Sequence, residues 1–138
     1  MSVDSRAIQL IRKDADQYVL TDEGKAFLAT VDEPIAVVSV AGVYRSGKST
    51  LLSLLAKSKT FEVSGSSQAC TMGLYCAPML IDHHGKKILL CDSEGLDSVN
   101  GHADQNHDST VFCLALLLGS SFIYNATGAI NDSSISSM

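Results

Sequence analysis

Ser39 to Leu52, SVAGVYRSGKSTLL, is the stretch whose reading decides the fold. Gly42, Gly47, Lys48 and Ser49 fit G-x-x-x-x-G-K-[ST]. The run Ile35-Ala36-Val37-Val38-Ser39-Val40-Ala41 leads into it, and Leu51, Leu52, Leu54 and Leu55 follow at helical spacing. A continuous apolar, β-branched run predicts a strand buried on both faces. A glycine-rich turn opening a helix then makes a phosphate cradle. The glycines let backbone N–H groups converge on an anion, and the helix N-terminus adds its positive dipole end. In such a loop Lys48 would reach β- and γ-phosphate oxygens, and the Ser49 hydroxyl would ligate Mg²⁺. The alternative is a glycine-rich strand–helix turn carrying an incidental lysine.

Working outward, Ala7 to Ile11 and Gln17 to Leu20 are short apolar runs that predict edge strands. Thr21 and Asp22 are N-cap types, and Ala26, Phe27, Leu28 and Val31 predict a helix from about Asp22 to Val31, stopped before Pro34. Lys48 to Ala56 reads as the helix after the glycine loop. Lys57 to Gln68 is polar and rich in Ser and Gly, hence loop. Gly73 to Ile81 and Lys86 to Cys91 predict a hairpin around the turn Asp82-His83-His84-Gly85. A polar loop from Asp97 to Asp108, a helix from Asp108 or Ser109 to about Leu118 and a strand from Ser121 to Asn125 complete the order. The fold class is α/β, a P-loop NTPase type with a partial, doubly wound, mostly parallel sheet and helices on both faces. The last strand, Ser121 to Asn125, is expected to leave an open edge or an uncovered apolar face.

Composition narrows the function classes. The chain has 138 residues, 46% hydrophobic and 18% charged, enough for one domain or part of one with a real core. A formal net charge of -5 argues against general nucleic-acid binding. No apolar run approaches the roughly 20 residues needed to span a bilayer; the longest is Val111 to Leu118. No signal peptide is evident, so the expectation is a soluble, cytoplasmic protein. Cys70, Cys76, Cys91 and Cys113 are then expected to be reduced thiols. A metal site drawn from Cys70, Cys76, His83, His84 and Cys91 is disfavoured because no pair has C-x-x-C spacing.

Three further features bear on chemistry. Asp92-Ser93-Glu94-Gly95 is a D-x-x-G ending an apolar strand. There the Asp can hold Mg²⁺ through water, and the Gly N–H can contact a γ-phosphate. Thr71, in the loop between the two motifs, can complete a Mg²⁺ shell; the bland alternative is a solvated threonine. Arg45, inside the glycine loop, can act as an internal arginine finger; the bland alternative is an exposed charge.

Taken together, GVYRSGKS (Gly42 to Ser49), TMGLY (Thr71 to Tyr75) and DSEGL (Asp92 to Leu96) resemble the nucleotide motifs of guanylate-binding proteins. These stand with atlastins among the dynamin-like large GTPases. Asp104 to Asn131 resembles the stretch after that family's second switch, so the likeness runs from about Ile8 onward. The resemblance implies GTP as substrate and Mg²⁺ as cofactor. It implies nucleotide contacts from Gly42, Tyr44, Arg45, Ser46, Gly47, Lys48, Ser49, Thr50, Asp92 and Gly95. Ser49, Thr71 and Asp92 would serve the metal, and Arg45, Thr71 and Glu94 would serve catalysis. It further implies homodimerisation across the nucleotide face, which brings the arginine into place. The sequence departs from the family at Ala69, where a serine two positions before the switch threonine commonly helps orient water. The guanine-specificity motif lies downstream of the region matching Asn131. Residues 1–138 are therefore expected to be the N-terminal portion of such a GTPase domain, truncated before that motif. A nucleotide- or partner-binding fragment without turnover and an ATP-using P-loop protein stay open as alternatives.

Overall fold

The computed structural model describes residues 6–42, 47–57, 73–94 and 105–125. The strands are β1 (Ile8–Asp14), β2 (Gln17–Leu20), β3 (Ile35–Gly42), β4 (Gly73–Cys76), β5 (Ile81–His83), β6 (Lys86–Glu94) and β7 (Ser121–Asn125). The helices are α1 (Asp22–Ala29), α2 (Lys48–Ala56) and α3 (Gln105–Leu118). The strands form one sheet in the order β2-β1-β4-β6-β3-β7, with β5 pairing alongside β6.

The sheet is mixed, which corrects the expectation of a mostly parallel one. Among the described residues, only β3 with β6 and β3 with β7 run parallel. The pairings β1·β2, β1·β4, β4·β6 and β5·β6 are antiparallel. An apolar run signals a buried strand but carries no information about the direction of its neighbours. The predicted strand Gly73 to Ile81 is in fact two strands. Ala77 N–H still donates to Leu90 O at 2.9 Å, but Pro78 lacks a donor and the chain leaves the ladder before β5. The β5–β6 connection is a two-residue turn in which His84 (φ 52°) and Gly85 (φ 78°) are both left-handed, as tight hairpins of right-handed twist require.

Helices flank both faces. On one, Leu52 of α2 packs with Val40, Leu90 and Ala77. On the other, Phe27 and Leu28 of α1 pack against Leu89, Cys91, Cys76, Ile8 and Leu10. On that same face Val111 and Ala115 of α3 pack with Leu74 and Phe122. Strand register explains the division. Val37 pairs with Leu89 and Val38 with Leu90, so alternate residues feed opposite cores.

Local chemistry fixes α1. Thr21 Oγ1 accepts from Gly24 N at 2.9 Å and donates to Gln9 O, tying the cap to β1. Asp22 and Glu23 complement the helix dipole in the first turn. At β7, the edge away from β3 carries no strand among the described residues. Leu116, Leu117 (81%) and Leu118 of α3 are exposed next to it in sequence, and so is Leu54 of α2. No helix among the described residues is long and apolar enough to cross a membrane.

Candidate functional site

β3 runs between β6 and β7 and ends at Gly42. The chain re-emerges at Gly47, the N-cap of α2, with φ of 81°. A Cβ there would meet nothing within 4 Å, so the demand for glycine is conformational, not steric. Lys48 is the first helical residue, and Leu51 N–H returns to Gly47 O at 3.0 Å. The first turn of α2 has no acidic residue to neutralise its N–H groups, which favours an anion there.

The lysine turns toward the end of the neighbouring strand. Val40 of β3 pairs with Asp92 of β6, so Asp92 lies on the α2 face of the sheet. Lys48 Nζ lies 2.8 Å from Asp92 Oδ1, and the ammonium also donates to Ser93 O. Asp92 is 1% exposed. Burial pushes its carboxyl above the usual carboxylate range, and Lys48 offsets this only in part. Although it is ion-paired, Oδ1 has no aligned hydrogen-bond donor among the described residues. A buried carboxylate next to an ammonium and a helix N-terminus is a group that could hold a hard divalent cation together with its anionic ligand.

Ser93 fastens this arrangement. Its Oγ donates to Val40 O at 3.3 Å, linking β6 to β3 just before the glycine loop, and its carbonyl receives the lysine. Sequence reasoning gave Ser93 no role, because D-x-x-G leaves that position open. Cys91, immediately before Asp92, is pushed up to about 12 by burial first and by the Asp92 charge second.

Gly42, Gly47, Lys48, Ser49, Thr50 and Asp92 all stand at the same end of the β3–β6 pair. Glu94 is the last residue of β6, and its backbone pairs with Gly73 of β4. Tyr44, Arg45, Ser46, Thr71 and Gly95 lie outside the described residues. Gly73 itself has a steric reason to be glycine: a Cβ there would sit 1.9 Å from Ile11 O of β1. Among the described residues, no group of three or more His, Cys, Asp or Glu side chains forms a metal cluster. Cys76, Cys91 and Cys113 are free thiols, the first two buried and the third exposed.

Residues 15–138 match the guanylate-binding protein N-terminal domain. The chain belongs to the guanylate-binding protein family. It is 38% identical to guanylate-binding protein 1 of Mus musculus over 135 residues, 93% of this chain and 22% of that protein. Guanylate-binding protein 1 of Homo sapiens is 38% identical over 130 residues, 89% of this chain and 21% of that protein. Guanylate-binding protein 5 of Homo sapiens is 36% identical over 129 residues, 91% of this chain and 22% of that protein. This guanylate-binding protein chain thus spans about a fifth of the length of the curated relatives it matches.

Proposed function

We propose that the chain forms the phosphate- and metal-binding part of a GTPase domain, which binds GTP and transfers its γ-phosphoryl group to water. The observation that carries this reading is the placement of Lys48. It sits at the N-terminus of the helix that follows a buried parallel strand, and its ammonium lies against Asp92 at the end of the adjacent strand. Guanine as the base is supported by the names of the relatives.

In this reading the α2 N–H groups and the Gly42–Ser49 loop hold the β-phosphate, with backbone contacts from Tyr44, Ser46 and Thr50. Lys48 moves from Asp92 to the β/γ-phosphate oxygens, exchanging a carboxylate partner for a phosphate. The buried Asp92 carboxylate, released by that move, would have an oxygen free for Mg²⁺. Ser49 and Thr71 would complete the set that holds the ion, and the ion would neutralise charge on the β- and γ-oxygens when bound. Arg45 supplies a guanidinium to the transferring phosphoryl group once two domains meet across the nucleotide face. Gly95 contacts the γ-phosphate, and Glu94 orients the water network. The residues 1–138 would then be the N-terminal portion of a dynamin-like GTPase domain.

A second reading, nucleotide or partner binding without turnover, is favoured by the exposed leucines of α2 and α3. One experiment separates the two. GTP and ATP binding and hydrolysis are measured with Mg²⁺ on the chain and on Lys48→Ala and Arg45→Ala. The GTPase reading expects Lys48→Ala to lose binding, and Arg45→Ala to keep binding while losing turnover. Binding of GTP without turnover selects the second reading. Equal affinity for GTP and ATP removes guanine preference, and a Lys48→Ala variant that binds as well as the parent overturns the phosphate assignment.

A further inference from the structure

Cys76 and Cys91 stand directly opposite one another on antiparallel strands β4 and β6. Opposite residues in such a ladder share a face, and both side chains belong to the core cluster with Ile8, Leu10 and Leu89. The position within the ladder is fixed by a neighbour. Ala77 N–H donates to Leu90 O at 2.9 Å, which makes Ala77 and Leu90 the hydrogen-bonded pair. Cys76 and Cys91 therefore form the adjacent non-hydrogen-bonded pair, where Cα atoms approach to about 4.5 Å and side chains are closest. That separation lies inside the range a disulfide tolerates, about 4.4–6.8 Å. Both sulfurs are free thiols in the structure.

We infer that Cys76 and Cys91 are a paired modification site, a dithiol that a low-molecular-weight disulfide such as oxidised glutathione converts to a cross-strand disulfide. The thiolate of one cysteine attacks a reagent sulfur, forming a mixed disulfide and releasing one reduced glutathione. The thiolate of the other then attacks the protein sulfur of that mixed disulfide and releases the second. The two thiol protons end on the two released glutathiones, so the protein dithiol loses two electrons and the reagent disulfide gains them. Both cysteines are buried, which shields them from reagent and holds both thiols above their ordinary value, so ionisation and reagent entry both occur through local opening of the β4–β6 ladder.

The location gives the modification a consequence. β4 begins at Gly73, two residues after Thr71, and β6 ends at Glu94, next to Gly95; Gly73 and Glu94 are register partners. The disulfide would cross-link the two strands from which both of those segments depart. It is independent of which nucleotide, if any, the site takes.

The test uses the intact chain in native buffer. The protein is incubated with graded ratios of oxidised to reduced glutathione, its remaining thiols are alkylated, and the digest is mapped by mass spectrometry without reduction. The expected product is a peptide pair joined through Cys76 and Cys91. It should vanish with dithiothreitol and in either Cys76→Ala or Cys91→Val, while a Cys70→Ser/Cys113→Ser chain keeps it. The oxidised chain should also melt at a higher temperature than the reduced chain. Glutathione left singly on each cysteine, linkage through Cys70 or Cys113 instead, or no oxidation of Cys76 and Cys91 overturns the proposal. The mapping on the unsubstituted chain decides the question even if a variant fails to fold.

Discussion

Removing the Lys48 ammonium tests the energetics of the site directly. Nζ lies 2.8 Å from Asp92 Oδ1; the aspartate side chain is 1% exposed and the lysine side chain 13%. Lys48→Ala leaves the carboxylate buried without its cation. Removing one partner of a buried pair costs about 3–5 kcal/mol, and the partial exposure of Lys48, which admits water to the gap, sets the expectation near ~3 kcal/mol. For a chain of this size that is a fall of roughly 10 °C in Tm. The reverse deletion should be milder. With Asp92→Asn the lysine can swing its head to solvent, and the neutral amide avoids the desolvation that pushes the carboxyl up. The double variant should regain much of what Lys48→Ala loses, giving a coupling energy of about 2 kcal/mol. The assay is urea unfolding by circular dichroism of the parent, both single variants and the double variant, in buffer free of nucleotide and divalent metal. Equal m values make the midpoints comparable. Additivity within about 0.5 kcal/mol, or a Lys48→Ala midpoint equal to that of the parent, would refute a stabilising Lys48–Asp92 pair.

Gly73→Ala drives a Cβ to within 1.9 Å of Ile11 O, a backbone atom that cannot rotate away, so β1 must separate from β4. Thermal unfolding should show a loss of about 3 kcal/mol, near the upper end of overpacking costs. Thr21→Ala removes the α1 cap and its bond to Gln9 O; denaturant unfolding should show a loss of about 1–2 kcal/mol. Asp82 accepts from Lys87 at 2.8 Å and from Gly85 N, which together hold its carboxyl below the ordinary value. Its contribution is therefore present at neutral pH and fades as pH falls through that lowered value. The small Tm difference between the parent and Asp82→Asn should shrink to nothing in acid.

The part of the fold legible in the sequence is the part whose signal is local. The β-branched run of β3, the glycines at 42 and 47 and the leucines of α2 specify strand, turn and helix within neighbouring residues. The antiparallel half was not legible for the same reason. Nothing within Ile8 to Asp14 says that β1 will insert between β2 and β4, because that pairing depends on residues far along the chain. Ala77 to Leu80 misled by being apolar; the proline among them was the cue that the strand had ended. Glycine spacing singled out Lys48 and the D-x-x-G pattern singled out Asp92, and the structure brings these two side chains together. Ser93 was invisible because its contribution comes mostly through a carbonyl oxygen, which every residue possesses.

β6 shows how fold and site share one constraint. Its residues alternate between the two cores: Leu89 and Cys91 face α1, while Ile88 and Leu90 join the α2 cluster. Asp92 continues the second row, so the carboxylate is the polar end of an otherwise apolar stripe. The hydrophobic residues that choose the register therefore also choose which face receives the charge. A slip of one residue would send Asp92 into the α1/α3 core and bring Ser93 toward Lys48. That slip would also expose Leu89 and Cys91 to the wrong helix, so the apolar burial along β6 holds the carboxylate in place. The ion pair adds specificity at the strand end, where burial alone would favour an apolar side chain. A carboxyl kept there against its desolvation, beside an ammonium and a helix N-terminus, is the physical feature on which the proposed phosphate and metal site between α2 and β6 rests.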